Sequence, residues 1–190
     1  LTLLGELFGR LNRPREAQEY FERAIRLSTD PYPAIGLAKL LLKFGDPKEC
    51  ERYAEMAETI SLKSPSPTRF RAASIAIRAQ ARLALGGRNG IRKATRILQK
   101  AMRVDPNDLT VGLARGGLAE RRRQRKKALR IYRKLHKRFP NSDQLNFQLG
   151  RLLVSRASTR SDGRAYLVAL KKSGCDSNLR ARAQQLLKRY

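Results

Sequence analysis

A single histidine, two cysteines and no tryptophan in 190 residues leave this chain little with which to do chemistry. His136 falls on a predicted helix among Lys134, Lys137 and Arg138. A general base needs an orienting partner, and none is evident, so His136 reads as a solvated surface residue. No group of histidines, cysteines and carboxylates has metal-ligand spacing. No strand is predicted, so no glycine-rich phosphate loop follows one, and Gly86, Gly87 and Gly90 read as a helix end and a turn. The expectation is a non-enzyme with no catalytic residue, no metal and no cofactor. No uninterrupted apolar run approaches the roughly 20 residues of a membrane span, so membrane insertion is not expected.

Acidic residues are also scarce, 16 against 42 Lys and Arg, for a net charge of +26. The imbalance is uneven. Residues 1–60 hold 9 basic and 10 acidic side chains, leaving 33 basic and 6 acidic for residues 61–190. With 41% hydrophobic residues the chain can still bury a core. Its length suits one ordinary domain or one solenoid of five or six repeats. It begins at Leu1 without Met, already within a helical pattern, and is expected to be an excerpt of a longer protein.

What is present is a repeat. Ala94, Leu98, Ala101 and Pro106 recur 34 residues later as Ala128, Tyr132, Leu135 and Pro140. Spacings of four and three put the first three of each set on one helix face. Ala94, Ala101 and Ala128 let a neighbouring helix approach to roughly 8–10 Å, while Leu98 and Tyr132 fill the space between. Pro106 and Pro140 lack the amide hydrogen that would continue a helix, so the chain turns into the next unit. One unit cannot bury its own apolar face, and several must stack. This period and pattern resemble the tetratricopeptide repeat. The first unit, with Leu1, Leu4, Gly5, Phe8, Ala17, Phe21 and Ala24, is similar to nearly the whole signature. The resemblance implies an all-α, right-handed superhelical solenoid of helix-turn-helix repeats.

The units are read at about residues 1–30, 31–63, 66–106, 107–141 and 142–174, with a cap helix over 177–190, forming one domain. Unit one has helices over 1–11 and Pro14 to Leu27. Unit two places Leu37, Ala38 and Leu41 before a Gly45-Asp46-Pro47 turn, then Cys50, Ala54 and Ala57. The stretch Ser61 to Thr68, with Pro65 and Pro67, is a longer connector and marks an irregular point where a bend or altered packing is expected. Unit three has helices over Pro67 to Leu85 and Asn89 to Val104. Unit four replaces the Leu-Gly pair by Arg115 and Gly116, which leaves its first helix the weakest expectation. Unit five restores the pair as Leu149 and Gly150, and its second helix is read over Asp162 to Lys172. Ser177 is a candidate N-cap for a last helix whose face of Leu179, Ala183, Leu186 and Leu187 would cover the end of the stack. Cys50 and Cys175, units apart, would lie far beyond the about 4.4–6.8 Å that a disulfide needs. Two free thiols favour a reducing compartment such as the cytoplasm, and the compartment is otherwise unread.

The basic residues follow the repeat. Arg92, Arg96, Lys100 and Arg103 form one stripe along a helix, and 34 residues later stand Lys126, Arg130, Lys134 and Lys137. They fall opposite the apolar seam, on what a tetratricopeptide stack makes its outer face, and Arg121, Arg122 and Arg123 are expected to extend the same edge. A second group, Arg71, Arg78 and Arg82, lies on the first helix of unit three. In the family resembled, first helices line a concave peptide groove, so these arginines are candidate anion contacts. The Lys, Arg and Asn clamp that grips a C-terminal carboxylate in some members is missing, since Thr2, Glu6, Ile35 and Lys39 occupy its places.

Two functions remain. One is a scaffold that binds a peptide or protein, acidic by charge complementarity, through the concave groove and the basic half. The other is sequence-independent binding of nucleic acid or another polyanion by the outer face, without base stacking, because only Phe70, Tyr132 and Phe139 are aromatic between residues 61 and 140. A merely solvated face also fits, since unit charges about 10 Å apart in water repel by only about 0.4 kcal/mol before screening. Oligomeric state is not readable.

Overall fold

The computed structural model describes residues 1–64, 67–173 and 176–190, apart from the side chains of residues 88 and 173. Pro65, Gly174 and Cys175 lie outside the described residues. Among the described residues the chain is all helical: α1 (Thr2–Arg10), α2 (Pro14–Leu27), α3 (Tyr32–Phe44), α4 (Pro47–Ser61), α5 (Pro67–Leu85), α6 (Gly87–Val104), α7 (Leu109–Arg121), α8 (Arg125–His136), α9 (Asp143–Val154), α10 (Arg160–Ser173) and α11 (Ser177–Arg189), with a 3-10 turn at Ala157–Thr159. Each helix packs on its neighbour in sequence, and the first helices also pack on one another, α1 on α3, α3 on α5 and α5 on α7. Five helix pairs and a terminal helix thus make one stacked array.

Local chemistry sets the helix limits. The Asp46 and Asp108 side chains accept the Glu49 and Val111 amides at 3.1 and 3.0 Å, satisfying donors that have no partner inside the helix. Between α5 and α6 the chain reverses at Gly86 and Gly87, both left-handed at φ 78° and 72°, a conformation that side chains disfavour. The weakest expectation, the first helix of unit four, forms as α7 despite Gly112, Gly116 and Gly117. Two of these glycines are used for close packing, with Leu135 against Gly112 and Tyr132 against Gly116.

The repeated seam is the core. Ala94, Leu98, Ala101, Ala128, Tyr132 and Leu135 are all buried. Cys50 is buried with Ala54 and Ala57. At the irregular point, α5 is the altered packing. It buries Ala72 to Ile77, Ala79, Ala81 and Leu83, nearly its whole circumference, against α3, α4, α6 and α7. At the end of the stack Leu179, Leu186 and Leu187 pack with buried Ala183 on Phe147, Val154, Leu167 and Leu170. The cap of this last helix differs from the expectation. Asp176, not Ser177, accepts the Asn178 and Leu179 amides at 2.9 and 3.1 Å, because a carboxylate one residue earlier takes both donors. His136 also differs: it is half-buried, edge-on to the Tyr166 ring at 5.3 Å.

Candidate functional site

The first helices of successive units and α11 surround a concave groove with two joined hollows of about 450 and 420 Å³. Leu42, Gln80, Leu113, Gln144 and Gln148 line both. One hollow continues to Leu83, Glu120, Arg121, Tyr132 and Arg151, the other to Lys39, Lys43, Phe147, Asp176, Leu179 and Arg182. The groove therefore offers apolar floor, neutral amides able to donate and accept, and cations at its edges.

A hydrogen-bonded chain builds one wall. The Tyr132 ring fills the space left by Gly116, and its hydroxyl donates to Glu120 Oε1 at 2.8 Å. Glu120 Oε2 accepts from Arg151 Nη2 at 2.6 Å, and the same nitrogen donates to Gln148 Oε1 at 2.6 Å. Burial, then the Glu120 charge, raises the Tyr132 hydroxyl well above the ordinary phenol range. It stays a neutral donor. On the other side Lys39 keeps contact with solvent, yet the protein around it lowers its ammonium below the usual lysine range, outweighing the nearby Asp108 and Glu6 carboxylates. Arg182 stacks its guanidinium over Phe147, 4.6 Å from the ring centre.

The predicted arginines of α5 do not line this groove. Arg78 pairs with Glu55 and Glu58 at 2.7 and 2.6 Å, and Arg82 with Glu51 at 2.7 Å, so both turn toward α4; Arg71 is half-buried. The signal was present in the sequence: Glu51, Glu55 and Glu58 form an acidic stripe on α4 that complements α5. Sequence reasoning instead missed Gln80, Gln144 and Gln148, although Gln148 stands two periods of 34 after Gln80, and it missed the groove positions of Lys43 and Arg182.

The outer stripes stand as expected in exposure. Arg92, Arg96, Lys100, Arg103, Lys126, Arg130, Lys134 and Lys137 are all exposed, and among the described residues none makes an ion pair at 4 Å or less. Between the stripes, a cleft of about 250 Å³ is lined by Leu98, Met102, Leu118 and Ile131 with Arg115, Arg122 and Lys127. The run from Arg121 to Lys127 does not stay on one edge. Arg121 lines the groove, Arg122 donates to Thr95 Oγ1 at 2.7 Å beside the outer cleft, and Arg123 is exposed in a left-handed turn. Arg125 points inward to Ser155 Oγ at 2.8 Å and to the Leu152 carbonyl. A helix start placed between two faces divides the run.

The family model for the tetratricopeptide repeat matches residues 1–31. TTC0263, a tetratricopeptide-repeat protein of Thermus thermophilus, superposes with a TM-score of 0.72 at 24% identity, covering 98% of this chain and 96% of that one. The first unit thus resembles a tetratricopeptide repeat, and the fold of the chain is that of a tetratricopeptide-repeat array. Weaker similarities extend to MamA, at 13% identity and a TM-score of 0.49 over 98% of both chains. YrrB, described as having an unusual peptide-binding site, is 15% identical with a TM-score of 0.49 over 95% of this chain and 88% of its own. No curated protein matches the chain. Arrays of this kind present extended concave surfaces for protein-protein interaction, and no helix among the described residues is long and apolar enough to cross a membrane.

Proposed function

We propose that this protein is a non-enzymatic scaffold whose concave groove holds a peptide segment carrying apolar and acidic side chains. The observation that supports this most directly is the lining itself. Leu42, Leu113, Phe147 and Leu179 offer apolar contact, Gln80, Gln144 and Gln148 offer amides suited to a peptide backbone, and Lys39, Lys43 and Arg182 offer positive charge. Large, mainly apolar concave sites with a few convergent polar groups are the common form of binding site. The test is fluorescence anisotropy with a labelled hexapeptide alternating leucine and aspartate, against the same peptide with asparagine. Binding of the acidic peptide, reduced at least tenfold in the Lys39→Glu/Arg182→Glu variant, is the expected result. Equal binding of both peptides removes the acidic part of the proposal.

A second reading is favoured by one observation, the eight exposed cations of α6, α8 and the residue after α8, none of which makes an ion pair among the described residues. They suit a phosphodiester backbone bound without sequence preference. Titration of single- and double-stranded oligonucleotides from low to near-physiological salt tests it. Binding that persists, with a steep log-log salt slope, and is lost when Arg96, Lys100, Arg130 and Lys134 become Glu supports this reading. Loss of all binding by physiological salt reduces the charge to a general attractant.

A further inference from the structure

The two ends of the array meet. Lys43 Nζ, in the last turn of α3, donates to both carboxylate oxygens of Asp176 at 3.1 and 3.0 Å and to the Gly9 carbonyl at 2.9 Å. Ser177 Oγ donates to the Arg10 carbonyl at 2.6 Å, and Asn178 Nδ2 lies 3.5 Å from Asn12 Oδ1. The contacts of Asp176, Ser177 and Asn178 join residues 133 to 167 positions apart and close the groove at the hollow where Lys39, Lys43, Asp176 and Arg182 stand together.

This seam is unlike the others. Elsewhere in the stack, neighbouring units share buried apolar clusters, but among the described residues no such cluster joins the first two units to α11. The seam is polar, and its central ion pair is still about one-fifth exposed at both side chains, so water reaches it. Closed, the seam keeps Asp176 on Lys43, a cation that lines the groove beside Lys39 and Arg182.

Resting on the groove reading above, we propose that Lys43 is the receptor for an acidic group of the bound peptide, and that Asp176 occupies this place in the free protein and latches the groove shut. The charges balance in the exchange, and opening loses only the Ser177 and Asn178 contacts to Arg10 and Asn12. A ligand carboxylate replaces the Asp176 carboxylate on Lys43, Lys43 keeps Gly9, and Asp176 keeps the two amides at the start of α11, so no helix cap is lost. Binding and opening are thereby one event: the ligand selects the open array because only there is Lys43 free.

The test uses Asn12→Cys/Asn178→Cys in a Cys175→Ser background, with the labelled leucine-aspartate hexapeptide as probe. Oxidation to the disulfide locks the seam and is expected to weaken binding at least tenfold relative to the reduced form of the same protein. Asp176→Asn, which retains a capping side chain while removing the charge, is expected to tighten binding about three- to tenfold by removing the closed-state penalty, and Lys43→Met to weaken it. Equal binding by the oxidised and reduced forms overturns the latch and leaves the groove reading standing. Unchanged or weakened binding by Asp176→Asn likewise overturns it, without need of the disulfide. Absence of binding by the reduced protein and by the unmodified chain overturns the groove reading, and the latch with it.

Discussion

Adjacent glycines in α7 should respond to the same substitution with opposite signs. In Gly116→Ala the new Cβ would lie 2.0 and 2.3 Å from Tyr132 Cε1 and Cζ, where carbon atoms rest at about 3.5–4.0 Å. The ring would have to retreat by roughly 1.5 Å. Tyr132 is 1% exposed, and its hydroxyl is held by Glu120 at 2.8 Å, so retreat means repacking the α7-α8 interface. Overpacking costs about 1–3 kcal/mol, occasionally more, and misplacing the hydroxyl adds about 1. Alanine returns about 1 kcal/mol of helix propensity. The net expectation for Gly116→Ala is a loss of about 1–3 kcal/mol, a fall in Tm of roughly 2–12 °C for a chain of this size. Gly117→Ala meets nothing within 4 Å and keeps only the propensity gain, about 1 kcal/mol or roughly 2–4 °C upward. Thermal unfolding followed by helical circular dichroism compares the two, and the Gly116→Ala/Tyr132→Leu double variant should recover part of the loss as a coupling energy. A Gly116→Ala protein as stable as the parent would refute the close approach of α7 to the Tyr132 ring.

Arg78→Met should destabilise by about 1–2 kcal/mol, because it leaves Glu58 partly buried without its partner, whereas Arg96→Met on the exposed outer stripe should stay within about 0.5 kcal/mol; thermal melts separate the two. Cys50, whose thiol is pushed up to about 12 chiefly by burial, should resist iodoacetamide at pH 8 in the folded protein and react at once in denaturant, as read by mass spectrometry. Tyr32 is also raised to about 12, first by its hydrogen bond to Glu6 and then by burial. The folded state therefore favours both neutral forms: their contribution is complete below about pH 9 for the thiol and about pH 10 for the phenol, and is lost as pH rises through about 12. Chemical denaturation should show stability falling across that alkaline window, and a curve flat to pH 12 would count against the burial of Cys50 and the hydrogen bond of Tyr32 to Glu6.

Much of this protein lay open in its sequence because the repeat is a local device. The bounds expected for α2 and α5 are those observed, since proline at a helix start and Gly86-Gly87 at a helix end act within a few residues. The seam of Ala94, Leu98, Ala128 and Tyr132 needed only the period and the residue sizes. Site residues were less legible. Arg78 and Arg82 lie on a first helix, but pairing with α4 depends on how two helices rotate against each other, which spacing along one helix does not state. The division of Arg121, Arg122 and Arg125 among groove, outer cleft and interior has the same origin.

The sequence by itself determined the helices, their pairing into stacked units and the unneutralised charge of α6 and α8, because each follows from neighbours within a turn or within one repeat. Tertiary structure alone decided which side chains share the groove, and that Lys43 meets Asp176. Small rotations between successive units accumulate over the array, and only their sum brings residues 133 positions apart to 3.0 Å.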